Sequence, residues 1–186
     1  MIKSIKKAKY LIYFLTLLGF LFFIHYQYKS WYEQRLLRLI PFELQVSKIL
    51  YANTESWGFG PGGNETGIIV YELPDKVAHE IQKVLATKVT QEPGAFSDFR
   101  NWKQTPIPLT DEWQGSRSGS EPEQNIQFTK IANYLDRWSF SVSIDPKIES
   151  EIDYAITRSG SYYLYGRTGI TIVIPNSKKV IFAYAG

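Results

Sequence analysis

The sequence predicts an α+β domain that follows a single N-terminal transmembrane helix. Three observations support this prediction: an uncharged apolar run that follows four lysines, a β-β-α-loop-α-α-β-β-β order of elements, and a β-rich meander at the C-terminus. Because helices cover an antiparallel sheet in α+β domains, we expect a mostly antiparallel sheet of about five strands with about three helices on one face.

The chain divides by composition into four segments. A basic cytoplasmic tail takes residues 1–9, a transmembrane signal anchor residues 10–28, a juxtamembrane stalk helix residues 29–41, and the α+β domain residues 42–186. A helix over the uncharged span would be about 28 Å long, close to the ~30 Å hydrocarbon core of a bilayer. The lysines favour a cytoplasmic N-terminus. The domain is therefore expected in the periplasm, anchored in the bilayer of the cell inner membrane.

A cleaved signal peptide is the alternative for this leader. Its apolar region would be shorter, ~7–15 residues, and small residues would follow it at a cleavage site. The side chains of residues 25–28 are bulky instead, which favours an anchor that stays attached. Aromatic rings are enriched where a helix leaves the bilayer. The predicted membrane-interface residues are Tyr26, Tyr28, Trp31 and Tyr32.

Composition excludes several classes of function. Four of the 21 basic residues lie in the tail, which leaves 17 basic against 18 acidic residues in the rest of the chain. A nearly neutral domain lacks the basic surface that phosphate neutralisation requires, so nucleic acid is not an expected partner. The chain has no cysteine, which rules out disulfides, thiolate metal sites and cysteine nucleophiles. A disulfide-free domain outside the cytoplasm fits a bacterial envelope.

The first two strands are predicted on either side of a glycine-rich stretch. Residues 46–55 look extended, and residues 66–73 are rich in β-branched and aromatic side chains. Glycines that bind phosphate feed into a helix, whose N-terminal amides face the anion. The glycines of residues 58–67 feed into a strand instead. We therefore predict a hairpin loop, with an anion site as the less favoured alternative.

A long segment without periodicity, residues 90–122, holds four prolines and three glycines. Irregular segments of this length are uncommon in compact domains and are often functional. Its aromatic side chains argue against disorder, so we expect it to pack across the domain, with a short strand near residues 106–109. The predicted binding residues are the aromatic side chains of this segment and of the hairpin tip: Trp57, Phe59, Phe96, Phe99, Trp102 and Trp113.

Three helices and the final meander complete the domain. The apolar stripe of the first helix is Val77, Ile81, Val84 and Leu85. The second helix is predicted over residues 122–138. The third covers residues 146–158, with Asp145 as its N-cap and Gly160 suited to the left-handed conformation at its end. Three strands separated by turns are predicted within residues 161–185.

Few residues offer catalytic chemistry, and we predict no catalytic residue. His79 lies on the polar face of the first helix, and a general base there would need a nucleophile and an orienting acid nearby. Two carboxylates about 5–10 Å apart could hydrolyse glycosides. Acidic groups occur at Asp111/Glu112, Glu121/Glu123 and Glu149/Glu151/Asp153. No metal site and no cofactor are expected, because a lone histidine leaves zinc without its usual ligands.

The sequence therefore favours a non-catalytic, single-pass protein-interaction module, such as an accessory subunit of an envelope complex or an immunity-type protein. Its partner would be a protein that binds the segment 90–122 or the tip 58–67, and tethering would raise the effective concentration of a weak binder. Two alternatives stay open. One is an envelope hydrolase that uses carboxylates or His79, and the other is a sensor that binds a small ligand between sheet and loop.

Overall fold

The computed structural model describes residues 2–57, 64–87, 102–110, 113, 129–138 and 142–186. Side chains are placed throughout this part except at residues 2–12, 57, 64, 84–87 and 138. The chain separates into two compact units, Met1–Leu39 and Ile40–Gly186. The first unit consists of a helix and the turn that follows it, and the second, called the head domain below, contains the sheet.

Helix α1 spans Ile2–Leu37. The segment contains no proline, and Gly19 costs about 1 kcal/mol in a helix interior without breaking it. The backbone N–H of Leu39 donates to the carbonyl of Leu36 at 3.1 Å, which tightens the last turn. The helix therefore ends at Leu37, ahead of Pro41, which was the expected stop.

The predicted membrane span falls within α1. Among the described residues, no helix combines the length and the apolarity that crossing a membrane requires. The side chains of the predicted basic tail and of residues 10–12 of the predicted span lie outside the described part.

The head domain is built on an antiparallel sheet, as predicted, and the described residues give it six strands. The order across the sheet is β1-β2-β6-β5-β4-β3, and every neighbouring pair is antiparallel. The strands are β1 (Ile49–Trp57), β2 (Asn64–Glu72), β3 (Lys103–Gln104), β4 (Tyr162–Tyr165), β5 (Ile170–Ile174) and β6 (Lys179–Ala185). The additional strand is β3. It begins three residues before the short strand expected near residues 106–109.

The sheet also confirms the hairpin and the meander. Trp57 of β1 pairs with Asn64 of β2, so the chain reverses across residues 58–63, which themselves lie outside the described part. The meander follows the predicted order, with β4 pairing with β5 and β5 with β6.

The described helices of the head domain are α2 (Asp75–Thr87), α3 (Ile131–Leu135) and α4 (Pro146–Ile156). The Asp145 side chain accepts the N–H groups of Lys147 and Ile148 and caps α4, as predicted. Gly160 has a φ of +114°, which glycine adopts without strain. Helix α3 begins at Ile131, after the non-helical residues 129 and 130, and a 3₁₀ turn follows it at Asp136–Trp138. The start of the predicted second helix, residues 122–128, lies outside the described part.

One face of the sheet packs against α3 and α4. The buried side chains of α4 are Ile152, Ala155 and Ile156, and Ile131, Tyr134 and Leu135 of α3 join them. They meet alternate residues of the central strands, since side chains on one face of a strand recur every second position. The sheet residues of this core are Ile68, Val70, Tyr163, Ile170, Ile172, Ile174, Ile181 and Ala183.

The opposite face of the sheet is buried as well. Ile69 and Tyr71 alternate with the core residues of β2, and Phe182 alternates with those of β6, yet all three are buried. The buried residues of α2 are Val77, Ala78 and Ile81, and they do not belong to the core that α3 and α4 form. We therefore assign α2 to a layer apart from α3 and α4, whereas the sequence predicted the helices on one face. All five residues of β5 are buried and four of them are apolar, which is typical of a strand covered on both faces.

Candidate functional site

The two ends of the sheet are unequal. β1, at one end, has nine residues, whereas β3, at the other, has two. An edge strand presents a row of backbone N–H and C=O groups that another chain can pair with. Among the described residues, no backbone hydrogen bond joins β1 to anything except β2. The long edge of β1 is therefore the candidate functional site.

The register shows which residues of β1 face outward. The Glu65 carbonyl accepts the N–H of Gly186, so Glu65 faces β6, and the N–H of Glu72 donates to the Lys48 carbonyl, so Glu72 faces the β1 side. Both backbone groups of one residue in an antiparallel strand point to the same neighbour, and this direction alternates along the strand. The β2 residues that face β1 are thus the even-numbered ones.

The partners of those even-numbered residues in β1 are Tyr51, Asn53 and Glu55. These three exchange backbone hydrogen bonds with β2. Ala52, Thr54 and Ser56 therefore direct their N–H and C=O groups away from the sheet. The irregularity in the pairing lies between Ile49 and Tyr51, outside this outward-facing part.

Side chains fix β1 on the face that carries α4. The Asn53 side-chain amide donates to the Ser143 carbonyl at 2.7 Å, and the Tyr51 hydroxyl donates to the same carbonyl at 3.3 Å. The Tyr51 oxygen also accepts the N–H of Asp145 at 3.3 Å. These bonds hold the segment before α4 against β1. They use side chains, so the outward backbone groups of β1 stay available.

Tyr184 supports β1 on the other face. Its hydroxyl lies 3.0 Å from Thr54 Oγ1, and its ring stacks on Phe182 with centroids 5.6 Å apart. The ring crosses β2 at Gly67, where an added Cβ would stand 2.5 Å from the Tyr184 hydroxyl oxygen. Gly67 is therefore required by close packing within a strand. This role is separate from the chain reversal that its glycine-rich neighbourhood predicted.

The edge carries little charge. Glu55 is the one residue of β1 that is charged at neutral pH, and the lysine before the strand, Lys48, is paired with Glu72 at 3.1 Å. Natural edge strands are usually protected by lysine, by proline or by being short. β1 contains neither lysine nor proline over its nine residues. Its chemistry is thus that of a strand able to accept a further strand.

The predicted aromatic binding residues are only partly described. Phe59, Phe96 and Phe99 lie outside the described part, and so does the side chain of Trp57, whose backbone ends β1. Trp102 is half-buried. Of this set, the structure resolves the surroundings of one residue in detail, Trp113.

Trp113 serves the core of the head domain. Its side chain is 0% exposed, its indole N–H donates to the Tyr165 hydroxyl at 2.7 Å, and its ring lies 5.0 Å from that of Tyr134. Both the apolar ring and the polar nitrogen are therefore satisfied inside the fold. Trp113 offers no surface to a partner, so it is not part of the candidate site.

The predicted membrane-interface residues lie together on α1. Tyr28 stacks on Tyr32 with centroids 6.4 Å apart and lies 6.2 Å from the ring of Trp31. The Arg35 guanidinium lies 6.0 Å from the Trp31 ring centre, within the range of a cation–π contact. Tyr26 and its three neighbours are all exposed.

The residues considered for catalysis have structural roles where they are described. The His79 ring donates from Nδ1 to the Asp75 carbonyl at 2.8 Å on an exposed helix face. Glu151 pairs with Lys179, and Asp153 accepts the N–H of Ile131 at 2.8 Å. No metal-binding group of three or more His, Asp or Glu side chains occurs in the described part. The other acidic pairs, Asp111/Glu112 and Glu121/Glu123, lie outside it.

Asp153 is half-buried beside the start of α3. Burial raises the pKa of its carboxyl above the ordinary 3.8, and the N–H of Ile131 and the charge of Lys130 oppose that shift while Glu149 adds to it. Burial also raises the pKa values of Tyr162 and Tyr163 above the ordinary 10.0. In each case burial is the largest cause of the shift.

The outer surface of α4 carries a depression of about 600 Å³ that is open to solvent. It is lined by Pro146, Lys147, Ser150, Glu151 and Tyr154. Ligand sites are usually clefts that bury most of the ligand. This depression is too open to do so. The sensor alternative placed its ligand between sheet and loop, and this depression lies elsewhere.

Comparison of the chain with protein families, curated proteins and solved structures gave no match. The candidate site therefore depends on geometry alone. Sequence reasoning missed the edge of β1, because the position of a strand within a sheet depends on long-range pairing. The available signal was indirect: a polar strand, ANTES within β1, beside the much more apolar β2.

Proposed function

We propose that this protein is a non-catalytic, membrane-tethered protein-interaction module that binds its partner along the outer edge of β1. One observation supports the binding role: a nine-residue edge strand whose outward N–H and C=O groups, at Ala52, Thr54 and Ser56, have no described partner. Strand addition to such an edge is a recurring mode of protein recognition. The roles considered from the sequence, an accessory subunit or an immunity-type protein, both need a surface of this kind.

The tether is proposed from the side chains of α1. Ten large apolar side chains between Tyr13 and Ile24 are 36–73% exposed. They lie on every side of the helix, because the run is apolar at nearly every position. An apolar surface of this extent on one helix needs cover by something other than water, and a bilayer provides it around the whole circumference. We place residues 10–28 across the inner membrane, with the lysine-rich end in the cytoplasm and the head domain in the periplasm.

Membrane attachment is tested by fractionation of the full chain. We expect it to remain in the pellet after an alkaline carbonate wash and to become accessible to protease once the outer membrane is opened. A Leu17→Arg/Leu21→Arg double variant should move to the soluble fraction, since each arginine costs about 2.5–3.5 kcal/mol at a helix centre. The matched control is Leu50→Arg, at an exposed leucine of the head domain, which should stay in the pellet. A wild-type chain found in the wash would contradict the tether.

Binding along β1 is tested by placing a photo-crosslinking amino acid at single positions of the chain in its native host. We expect a covalent protein adduct from Ser56, which faces outward at the edge. Tyr154, an exposed residue of α4, is the control and should give no adduct of comparable yield. Equal yields at the two positions, or none at Ser56, would contradict an interaction surface at this edge.

A further inference from the structure

We propose that the edge of β1 pairs antiparallel with β1 of a second copy of this chain, so that two head domains share one continuous sheet. The inference rests on the proposed function, because it names the partner of the same edge. It starts from the outward-facing residues Ala52, Thr54 and Ser56, which form a set of three centred on Thr54. A set that is symmetric about one residue can pair with itself about a two-fold axis.

The two-fold axis through the Thr54 pair gives the register. Thr54 then lies opposite Thr54 of the second copy, and Ala52 lies opposite Ser56. Residues that exchange both backbone hydrogen bonds alternate along an antiparallel pair. In this register those residues are the three outward-facing ones, so every outward N–H and C=O between Ala52 and Ser56 is paired. The irregular start of β1 at Ile49–Tyr51 is not needed.

Side-chain chemistry selects the same register. With Thr54 on the axis, Glu55 lies opposite Asn53, an uncharged amide. With Glu55 on the axis, two carboxylates would lie directly opposite each other, which destabilises a strand pair. Thr–Thr pairs are favourable across strands, and Ala52 and Ser56 are small enough not to obstruct close approach. The edge is thus chemically complementary to itself.

The proposed tether supports a second copy over a foreign strand. Copies held in one membrane search a surface instead of a volume, which raises the effective concentration for a weak contact. A strand of another protein would need a side chain opposite Glu55 that tolerates its charge. The residues of β1 specify no particular sequence for such a strand. Self-pairing needs no additional selection, because both edges are the same.

Single cysteines test the pairing directly, because the chain has none of its own. Residues opposite each other in a hydrogen-bonded antiparallel pair have Cα atoms about 5.5 Å apart, within the range of a disulfide. Full-length Thr54→Cys in native membranes under mild oxidation should form a disulfide dimer, at least five times more than Ser150→Cys on the outer surface of α4. Ala52→Cys and Ser56→Cys, carried on differently tagged copies, should cross-link to each other and each much less to itself.

Charge reversal provides a test that does not depend on cross-linking. Thr54→Lys and Thr54→Glu each place two like charges opposite each other on the axis. Native mass spectrometry in detergent should therefore show each variant alone as a monomer and the wild type as a dimer. Mixing the two variants should restore the dimer. This recovery also shows that both variants fold, so a monomeric result cannot be attributed to misfolding.

Three results would overturn the inference: equal dimer yields for Thr54→Cys and Ser150→Cys, a monomeric wild type, or no dimer in the mixed charge variants. The Ser56 photo-adduct separates this failure from that of the proposed function. An adduct with a different protein, without a Thr54→Cys dimer, overturns self-pairing and retains the interaction module. The absence of any adduct at Ser56 removes both.

Discussion

The two edges of the sheet differ in how strongly the fold holds them. Beside β3, the buried Thr105 hydroxyl lies 2.5 Å from the Arg158 carbonyl oxygen, and the N–H of Ile107 donates to the carbonyl of Ile156. At β1, the anchoring bonds of Tyr51 and Asn53 to Ser143 are exposed to solvent. The chain that follows β3 is therefore tied to the end of α4 by buried groups, while the described side-chain bonds that anchor β1 are exposed.

This difference indicates which edge could bind a partner without loss of bonds that stabilise the fold. The buried hydroxyl of Thr105 is paired, as buried polar groups generally are. Exposed edges keep backbone groups available to another strand, at the risk of unwanted pairing. Among the described residues the outward backbone groups of β1 have no partner, and such an edge is able to bind a further strand.

The largest effect is expected from Trp113→Ala, which removes the ring buried beside β4. Phe or Trp to Ala substitutions in cores cost about 3–5 kcal/mol, and this one also leaves Tyr165 without the indole donor. We expect a loss of that size in the free energy of unfolding, measured by hydrogen exchange of the β5 and β6 amides in the full chain. Trp31→Ala, on exposed α1, is the matched control and should leave the exchange of these amides unchanged.

A loss of less than about 1 kcal/mol for Trp113→Ala would mean that the ring is not packed as described. The part of the sheet next to β3 would then be packed less tightly than described, and the contrast with the β1 edge would be smaller.

Much of the fold is predictable from local signals. Asp145 caps α4 and Pro146 is its first residue, and both roles follow from the local sequence alone. The hairpin of β1 and β2 and the final meander follow from turn residues between β-rich runs. The two-residue strand β3 could not be predicted, because Lys103 and Gln104 become a strand only by pairing with β4.

Less of the candidate site is predictable. An aromatic residue in an irregular segment can be a contact residue or a core residue, and Trp113 is the latter because Tyr165 and Tyr134 happen to surround it. The open edge at β1 depends on the whole strand order, because β6 pairs with β2 and not with β1. Such long-range pairing is not encoded in any one segment.

The next largest effect is expected from Gly67→Ala, which tests how β1 is supported from across β2. The new Cβ would lie 2.5 Å from the hydroxyl oxygen and 2.6 Å from Cζ of Tyr184. Overpacking of this kind costs about 1–3 kcal/mol. Gly166→Ala is the control, because its Cβ would meet only the Gly169 carbonyl oxygen at 3.5 Å.

A second substitution identifies the cause of the Gly67 effect. Tyr184→Ala removes the ring, so the added methyl group of Gly67→Ala should cost less in that background, measured as a coupling in urea unfolding of the four chains. Equal costs in both backgrounds would show that Tyr184 does not pack over Gly67.

Thr105→Val removes the hydroxyl group that ties the β3 edge to the chain after α4. Its oxygen lies 3.1 Å from the Ser161 carbonyl oxygen and accepts the N–H of Ser161 at 3.1 Å. Because these groups are buried, their loss should cost about 1–3 kcal/mol. Urea unfolding of the full chain in detergent measures this, with Thr110→Val at an exposed threonine as the control. A neutral Thr105→Val would show that the β3 edge is not held by this network.

The pH dependence of Asp153→Asn tests the helix layer to which the β3 edge is tied. Asparagine keeps an acceptor for the N–H of Ile131 and removes the half-buried charge. A carboxyl whose folded pKa is raised favours the folded state below its ordinary pKa, near 3.8, and loses this contribution as the pH rises through the folded value. Asp153→Asn should therefore be the more stable chain at neutral pH, and its advantage should vanish at acid pH. Thermal unfolding of both chains at several pH values measures this. A difference in unfolding temperature that stays the same at every pH would contradict the prediction.

Asn53→Ala at the open edge is expected to have the smallest effect. Its hydrogen bond to the Ser143 carbonyl is exposed, and water replaces an exposed bond at little cost, so we expect a loss of no more than about 1 kcal/mol. The informative quantity is the ratio to Thr105→Val, measured in the same urea titration. If Asn53→Ala cost as much as Thr105→Val, the β1 edge would be as firmly built into the fold as the β3 edge. The contrast between the two edges would then disappear, and the argument that β1 binds a further strand would lose its physical basis.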